Sequence, residues 1–343
     1  MPSRPDLSTL PPAAAAYIEA LEAELAELRG RSKRAPAPTL ATESEPAEPP
    51  TTLQVITISA AGLAKRTPRH LYNRQRRGGM GVFDLETTLP DAPAFLLIAD
   101  ASDHLIFITT LARGLRLPVS SLTEGPVHSR GTSILPHLAL AEGEKVAVVT
   151  PASAGSYLNL LSSRGQVRRY AAHLFGPAMR VGAALYDVRE SGAPVAACWA
   201  AGQEDLLIAT RGGLAIRFAA QLVPVRGCLG IRLEREDAPR AIAAVDDASP
   251  LFLLAADGKG ALREMASFRA NKAPGAGGKT IIKTEDLIMA CRAPADADLF
   301  LISRLSKIIR FRAAEVSLYA GPVQGVNCME LRSDAAVAAA SSG

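Results

Sequence analysis

The densest chemistry in this chain of 343 residues lies between residues 65 and 77. There Lys65, Arg66, Arg69, Arg74, Arg76 and Arg77 place six basic side chains among thirteen positions with no acidic one. The cluster Gly78-Gly79-Met80-Gly81 follows directly. Guanidinium forks match phosphate oxygens. Glycines let a backbone come close to a phosphate and offer its N–H groups. Together these residues suit a sugar-phosphate backbone, held without base specificity and with an affinity that falls as salt rises. Spacing alone leaves a second reading open, in which the run is a solvated basic loop.

The other chemistry-bearing residues are scattered. His70, His104, His128, His137 and His173 lack HExxH-type spacing, and no full P-loop spacing surrounds Gly275-Ala276-Gly277-Gly278-Lys279-Thr280. Cys198, Cys228, Cys291 and Cys328 form no CxxC pair, which reads as four small apolar residues in a reducing compartment and signals neither zinc nor redox chemistry. The expectation is a protein without catalytic residues, metal or cofactor. With 48% hydrophobic and 21% charged residues, the chain can bury a sizeable core. It shows no signal-peptide core and no bilayer-length apolar run, so a cytoplasmic protein is expected. Residues 1–52 carry a net charge of −3 and the remainder +7, a mild bias that permits a polyanionic partner.

Elements that could position the basic run emerge from a repeat. Arg66, Arg116, Arg169, Arg217, Arg263 and Arg310 recur at intervals of 50, 53, 48, 46 and 47. Eleven positions before each stands an apolar residue (Val55, Leu105, Leu158, Leu206, Phe252, Leu299), and eight before stands another (Ile58, Ile108, Leu161, Ala209, Ala255, Ile302). Each unit reads as an apolar strand, a glycine-bearing turn and a second strand carrying the arginine, as in Leu206-Leu207-Ile208-Ala209-Thr210 and Leu214-Ala215-Ile216-Arg217-Phe218. Two more short strands complete a four-stranded unit, and the last, such as Val146-Ala147-Val148-Val149, leads into the following unit, so that the first unit starts without a preceding strand of its own. A repeat of this length with four strands predicts an all-β, six-bladed propeller. The spacing predicts that Val326-Asn327-Cys328-Met329-Glu330-Leu331 is a surplus strand that completes the first blade. The six arginines would then form a ring of charge, with Lys65, Arg168, Arg232, Lys279 and Arg312 adding to its rim. Packing of these arginines between blades is the competing reading.

Outside the repeats, residues 1–30 form an N-terminal segment with a helix over about 13–29. Ile18, Leu21, Leu25 and Leu28 follow coiled-coil spacing, which leaves self-association and docking on the chain itself both open. Residues 31–52 read as a Pro/Glu-rich linker, 53–332 as the propeller and 333–343 as a flexible tail.

Gln75-Arg76-Arg77-Gly78-Gly79-Met80-Gly81 resembles the gyrase box, Q-[RK]-R-G-G-[RK]-G, of the DNA gyrase A C-terminal domain. The approach Ile56-Thr57-Ile58-Ser59 to Lys65-Arg66-Thr67-Pro68 is similar to that domain's first blade, and Ala209 to Phe218 to its hairpin signature. The resemblance spans about residues 53–332. It implies a six-bladed β-pinwheel that bends and wraps duplex DNA, with Gln75, Arg76, Arg77, Gly78, Gly79 and Gly81 matching the box. Met80 departs from it, because the family has a basic residue there. Carried onto this sequence, the DNA-binding set is Lys65, Arg66, Arg69, Arg74, the six matching box residues, Arg116, Arg169, Arg217, Arg263 and Arg310. The expected role is a stand-alone, nucleoid-associated accessory to DNA topology, beside a type II topoisomerase or another gyrase component. Only 52 residues precede the first blade, so strand cleavage by this chain is not expected. The alternative function is a protein-docking propeller that tethers to a topoisomerase or other partner without wrapping DNA.

Overall fold

The computed structural model describes residues 11, 12, 14, 16–23, 48–88, 90–152 and 155–342. The chain divides into two compact units, Met1–Ala47 and Glu48–Gly343. In the first, the described residues between 12 and 23 are helical, with Tyr17 and Leu21 exposed. The rest of the expected helix, including Leu25 and Leu28, and residues 31–47 of the expected linker lie outside the described residues. No helix among the described residues is long and apolar enough to cross a membrane.

The second unit is a six-bladed β-propeller. Its blades are built on six antiparallel hairpins: Leu53–Ser59 with Leu63–Pro68, His104–Thr109 with Gly114–Pro118, and Tyr157–Ser162 with Gln166–Ala171. Asp205–Thr210 with Leu214–Ala219, Leu251–Ala255 with Lys259–Arg263, and Asp298–Ser303 with Lys307–Arg312 complete the set. Every hairpin turns through a residue with positive φ, namely Gly62, Ala112, Gly165, Gly213, Gly258 and Ser306. In five of the six, the hydroxyl that ends the first strand accepts the backbone N–H that begins the second. Ser59 Oγ to Leu63 N at 3.0 Å and Ser303 Oγ to Lys307 N at 3.1 Å are examples, with Thr109, Ser162 and Thr210 alike. A short polar side chain that bonds its own turn explains why five of the six apolar runs stop at Ser or Thr, the exception being Leu251–Ala255.

An inner strand follows each hairpin and pairs with that hairpin's first strand: Pro93–Asp100, Val146–Pro151, Pro194–Ala200, Pro239–Val245, Leu287–Arg292 and Ala336–Ser342. These strands contact one another in ring order, the last packing on the first. Between neighbouring blades lie six apolar clusters, one per interface. Successive side chains of one hairpin strand supply different clusters, as Val55 faces blade six while Ile56 and Ile58 face blade two. That two-sided burial is why the runs are continuously apolar rather than alternating. Each fully buried Leu, Ile or Phe contributes about 1.5–3 kcal/mol.

Three sequence expectations are corrected. The inner strand belongs to its own hairpin, and the outermost strand of a blade is lent by the next repeat: Thr132–Ser133 to blade one, Cys228–Leu229 to blade three and Lys279–Thr280 to blade four. The ring is not closed by the segment from Val326. Val326–Asn327 pairs with blade five, and Val82–Phe83 from the first repeat crosses to blade six. Residues 336–342 are no tail, because all seven form the inner strand of blade six. Their small apolar residues line, with the other inner strands, a cavity of about 580 Å³ at the ring interior, a placement that composition alone does not distinguish from a terminus.

Candidate nucleic-acid interface

Each hairpin leads through a short turn into a strap that crosses to the preceding blade. The strap of the first repeat contains Arg69, Arg74 and the box, while Lys65 and Arg66 lie on the hairpin strand before it. A one-turn 3-10 helix, Arg69–Leu71, starts it, and Val82–Phe83 ends it on Ile308 and Lys307 of blade six.

The structure spends much of the basic run inside the protein. Lys65 is 1% exposed. Its Nζ lies 2.9 Å from Asp84 Oδ1 and donates to the carbonyls of Pro126, at 3.0 Å, and Val127. Thr57 Oγ1 and Tyr72 OH each donate to the same carboxylate at 2.6 Å. Burial lowers the Lys65 pKa despite the attraction of Asp84, and burial together with Asp84 raises Tyr72 well above the usual phenol value. Lys65 is therefore a buried tie between blade one and two straps, and not a rim residue.

The seam between blades six and one carries a second polar network. Arg310 Nε donates to Asp298 Oδ2 at 2.9 Å, and Arg74 Nε donates to Asp298 Oδ1 at 2.8 Å. Glu48 receives Arg69 Nε at 2.9 Å and lies 2.5 Å from Arg310 Nη2. Burial opposes charge on Glu48 and Asp298, but hydrogen bonds from Arg310 with Arg69 or Arg74 outweigh it and hold both carboxyls below their ordinary values.

Five of the six repeated arginines are latches between blades, which corrects the expected ring of charge. Arg217, Arg263 and Arg310 are 6%, 5% and 3% exposed. Each reaches backbone carbonyls after the hairpin of the next blade. Arg310 Nη1 donates to Tyr72 O at 2.9 Å and Arg69 O at 3.2 Å. Arg217 Nη1 reaches Met265 O at 2.7 Å, and Arg263 Nη1 reaches Tyr319 O at 2.9 Å. Half-buried Arg66 and Arg169 do the same, to Leu122 O at 3.1 Å and Ala220 O at 3.2 Å. Arg116 lines a small cleft with Ala172, Phe175 and Gly176, the matching turn of blade three. Turn carbonyls at a blade interface need donors, and a planar guanidinium supplies several from one position. Arg168 is likewise held inside the fold, by Arg226 O and Ser191 Oγ.

Within the box, the expected phosphate cradle is already filled by protein. The N–H groups of Gln75, Arg77 and Gly78 donate to Arg310 O at 2.7 Å, Glu315 Oε2 at 2.8 Å and Cys328 O at 2.9 Å. Gly79 N donates to Arg76 O at 3.2 Å. The Arg77 side chain is tethered too, to Glu315 O at 3.0 Å and Asn327 O at 2.5 Å. The glycines serve the close approach of the strap to its sheet, as a Cβ on Gly81 would stand 2.6 Å from Ile308 O. Arg76 alone of the box arginines points into solvent unengaged by any ion pair among the described residues.

Strand register relates all six straps. In each, a glycine stands one step before the residue that pairs with, or lies beside, the second position of a hairpin strand: Gly81, Gly131, Gly182, Gly227, Gly278 and Gly325. The residues just before these glycines are Met80, Arg130, Val181, Arg226, Gly277 and Gln324. Every one with a side chain is exposed, Met80 at 47%. Reading the repeats by their arginines misses this outward-facing position. The available signal is a glycine fifteen residues after the arginine in four repeats: Gly81, Gly131, Gly278 and Gly325.

Comparison with known proteins matches this geometry. A family model described as DNA gyrase C-terminal domain, beta-propeller, matches residues 54–91, 103–153, 204–232 and 297–342. The DNA gyrase A protein of Staphylococcus aureus (strain MRSA252) is 28% identical over 294 residues, covering 82% of this chain and 33% of that protein. The chain thus spans about a third of the length of the curated relatives it matches. The solved DNA gyrase A C-terminal domain superposes with a TM-score of 0.75 at 19% identity, covering 84% of this chain and 99% of that one. The C-terminal domain of DNA topoisomerase IV gives 0.60 at 16% identity, covering 84% and 93%. At such identities the two structures speak for the fold.

Proposed function

We propose that this chain, whose repeats match a model of the DNA gyrase C-terminal β-propeller domain over four stretches, binds duplex DNA along the strap-bearing perimeter and bends it there, as a non-enzymatic accessory to DNA topology in the cytoplasm. The observation that carries this reading is the box strap itself. It spans the ring seam, fixed to the sixth repeat by three backbone N–H bonds, and presents Arg76 outward from that support. Bending a site of 20–30 base pairs costs on the order of 1–6 kcal/mol, which several neutralised phosphates must offset. Type II topoisomerases or other gyrase components are the expected protein partners, and residues of the N-terminal helix are the candidates for self-association.

The test is a linking-number assay. Relaxed closed circular DNA is incubated with the protein, treated with a type I topoisomerase, deproteinised and resolved on a gel. A dose-dependent shift means that superhelical turns are constrained. Arg76→Glu is expected to weaken binding regardless of DNA sequence while leaving the melting temperature unchanged. Absence of both a linking-number shift and low-salt retardation of the parent protein would overturn the reading.

One observation favours protein docking as a second reading. A cavity of about 530 Å³ lies beside the box, lined by Leu71, Val82, Phe83 and Val127 with His128 at its rim, and Phe83 is exposed. Salt separates the two, because a phosphate contact weakens steeply with ionic strength and an apolar contact does not.

A further inference from the structure

The strap register gives the departure at Met80 a counterpart elsewhere in the ring. Met80 stands immediately before Gly81, where the box pattern has a basic residue. Arg130 stands immediately before Gly131, and Ala64 of blade one pairs with Thr132 just as Ile308 of blade six pairs with Val82. Arg226 stands immediately before Gly227, and Val167 of blade three pairs with Cys228 in the same way. The three glycines approach their sheets alike: an added Cβ would lie 2.6 Å from Ile308 O, 2.5 Å from Ala64 O and 2.9 Å from Val167 O. The backbone is thereby pinned to the sheet edge, and the preceding side chain is exposed in all three straps. Arg168 also donates to Arg226 O, which fixes that strap from below. Unlike Arg77, Arg74 and the latch arginines Arg66, Arg169, Arg217, Arg263 and Arg310, neither Arg130 nor Arg226 has a hydrogen bond or ion pair through its side chain among the described residues.

We propose that Arg130 and Arg226 make, from straps on blades one and three, the sugar-phosphate contacts that the box lacks at Met80, so that the duplex is held at three points of the perimeter, Arg76 on blade six being the third. This rests on the reading of the perimeter as a duplex-DNA surface. It places the phosphate track on side chains that the box motif does not include. Exposed Arg232 and Lys279 extend the track beyond Arg226, because Arg232 bridges to Gly277, two residues before Lys279 on the next strap.

The test compares the full chain with Arg130→Gln/Arg226→Gln, Met80→Arg and Val181→Gln, by filter binding to one duplex from about 50 mM to about 200 mM salt. Each phosphate contact contributes about 0.9 to the slope of log affinity against log salt. The double variant is expected to lose about 1.8 from that slope and at least about tenfold in affinity at the lowest salt. Met80→Arg is expected to add about 0.9 and to tighten binding. Val181→Gln, an uncharged change at the same register position, is expected to leave both unchanged. A double variant with the parental slope and affinity overturns the assignment while DNA binding itself stands. A parent protein that binds no duplex at the lowest salt overturns the functional reading and this assignment with it.

Discussion

Replacing Arg310 by alanine separates the two roles a repeated arginine could have. In the structure Arg310 is a seam latch: it is 3% exposed, donates to the carbonyls of Arg69 and Tyr72, and pairs with Asp298 and Glu48. Its removal leaves Asp298 buried against Arg74 alone and the Tyr72 carbonyl without its donor, while Arg69 O keeps the N–H of Tyr72. Removing one partner of a buried ion pair costs about 3–5 kcal/mol, a large share of a typical total stability of about 5–15 kcal/mol. At about 2 °C per kcal/mol for a domain of this size, the melting temperature should fall by roughly 6–10 °C. The assay is thermal unfolding followed by circular dichroism, paired with the salt dependence of DNA binding well below the transition. A latch predicts the large thermal loss with the salt slope unchanged. A fall of less than about 2 °C, or a slope reduced by about 0.9, would refute the latch and return Arg310 to the DNA surface.

Three further outcomes follow from the same geometry. Gly81→Ala combines a φ of +71° with a Cβ 2.6 Å from Ile308 O, so it should destabilise by about 2–3 kcal/mol in denaturant unfolding, and a loss below about 0.5 kcal/mol would mean the strap does not need that approach. The Glu48 and Asp298 carboxyls sit below their ordinary values of 4.5 and 3.8 in the folded protein, so the stability they contribute is complete above those values and lost as pH falls through the lower folded ones. Asp298→Asn should therefore start less stable but lose less melting temperature than the parent between about pH 7 and about pH 3.5; parallel curves would remove Asp298 from the acid response. Deleting residues 1–47 should leave cooperative unfolding intact, whereas deleting 1–52 also removes Glu48 and should cost about 1–2 kcal/mol more; equal stability of the two truncations would show that the Glu48 contacts contribute nothing.

The repeat was legible because its causes are local. Each hairpin needs an apolar run buried on both faces, a residue that tolerates positive φ and an arginine at a fixed place, and five of the six close their turn with a Ser or Thr. These recur as letters at nearly constant spacing from Val55 to Arg310. The box was legible for the same reason, as seven consecutive residues. The sequence by itself therefore determined six blades, their order and the box's place in the first repeat. Only the tertiary structure decided where each charge goes. Lys65 and Asp84 are nineteen residues apart and meet because the strap returns across the sheet. Arg310 meets Glu48, Arg69 and Tyr72 because blade six abuts blade one. Val82–Phe83 closes the ring because a strap can reach back to the preceding blade while Ala336–Ser342 fills its inner edge. Charge in a sequence has a sign but no direction. Whether an arginine faces a phosphate or a turn carbonyl depends on which chain-distant surface covers it, and that is settled only when the ring is closed.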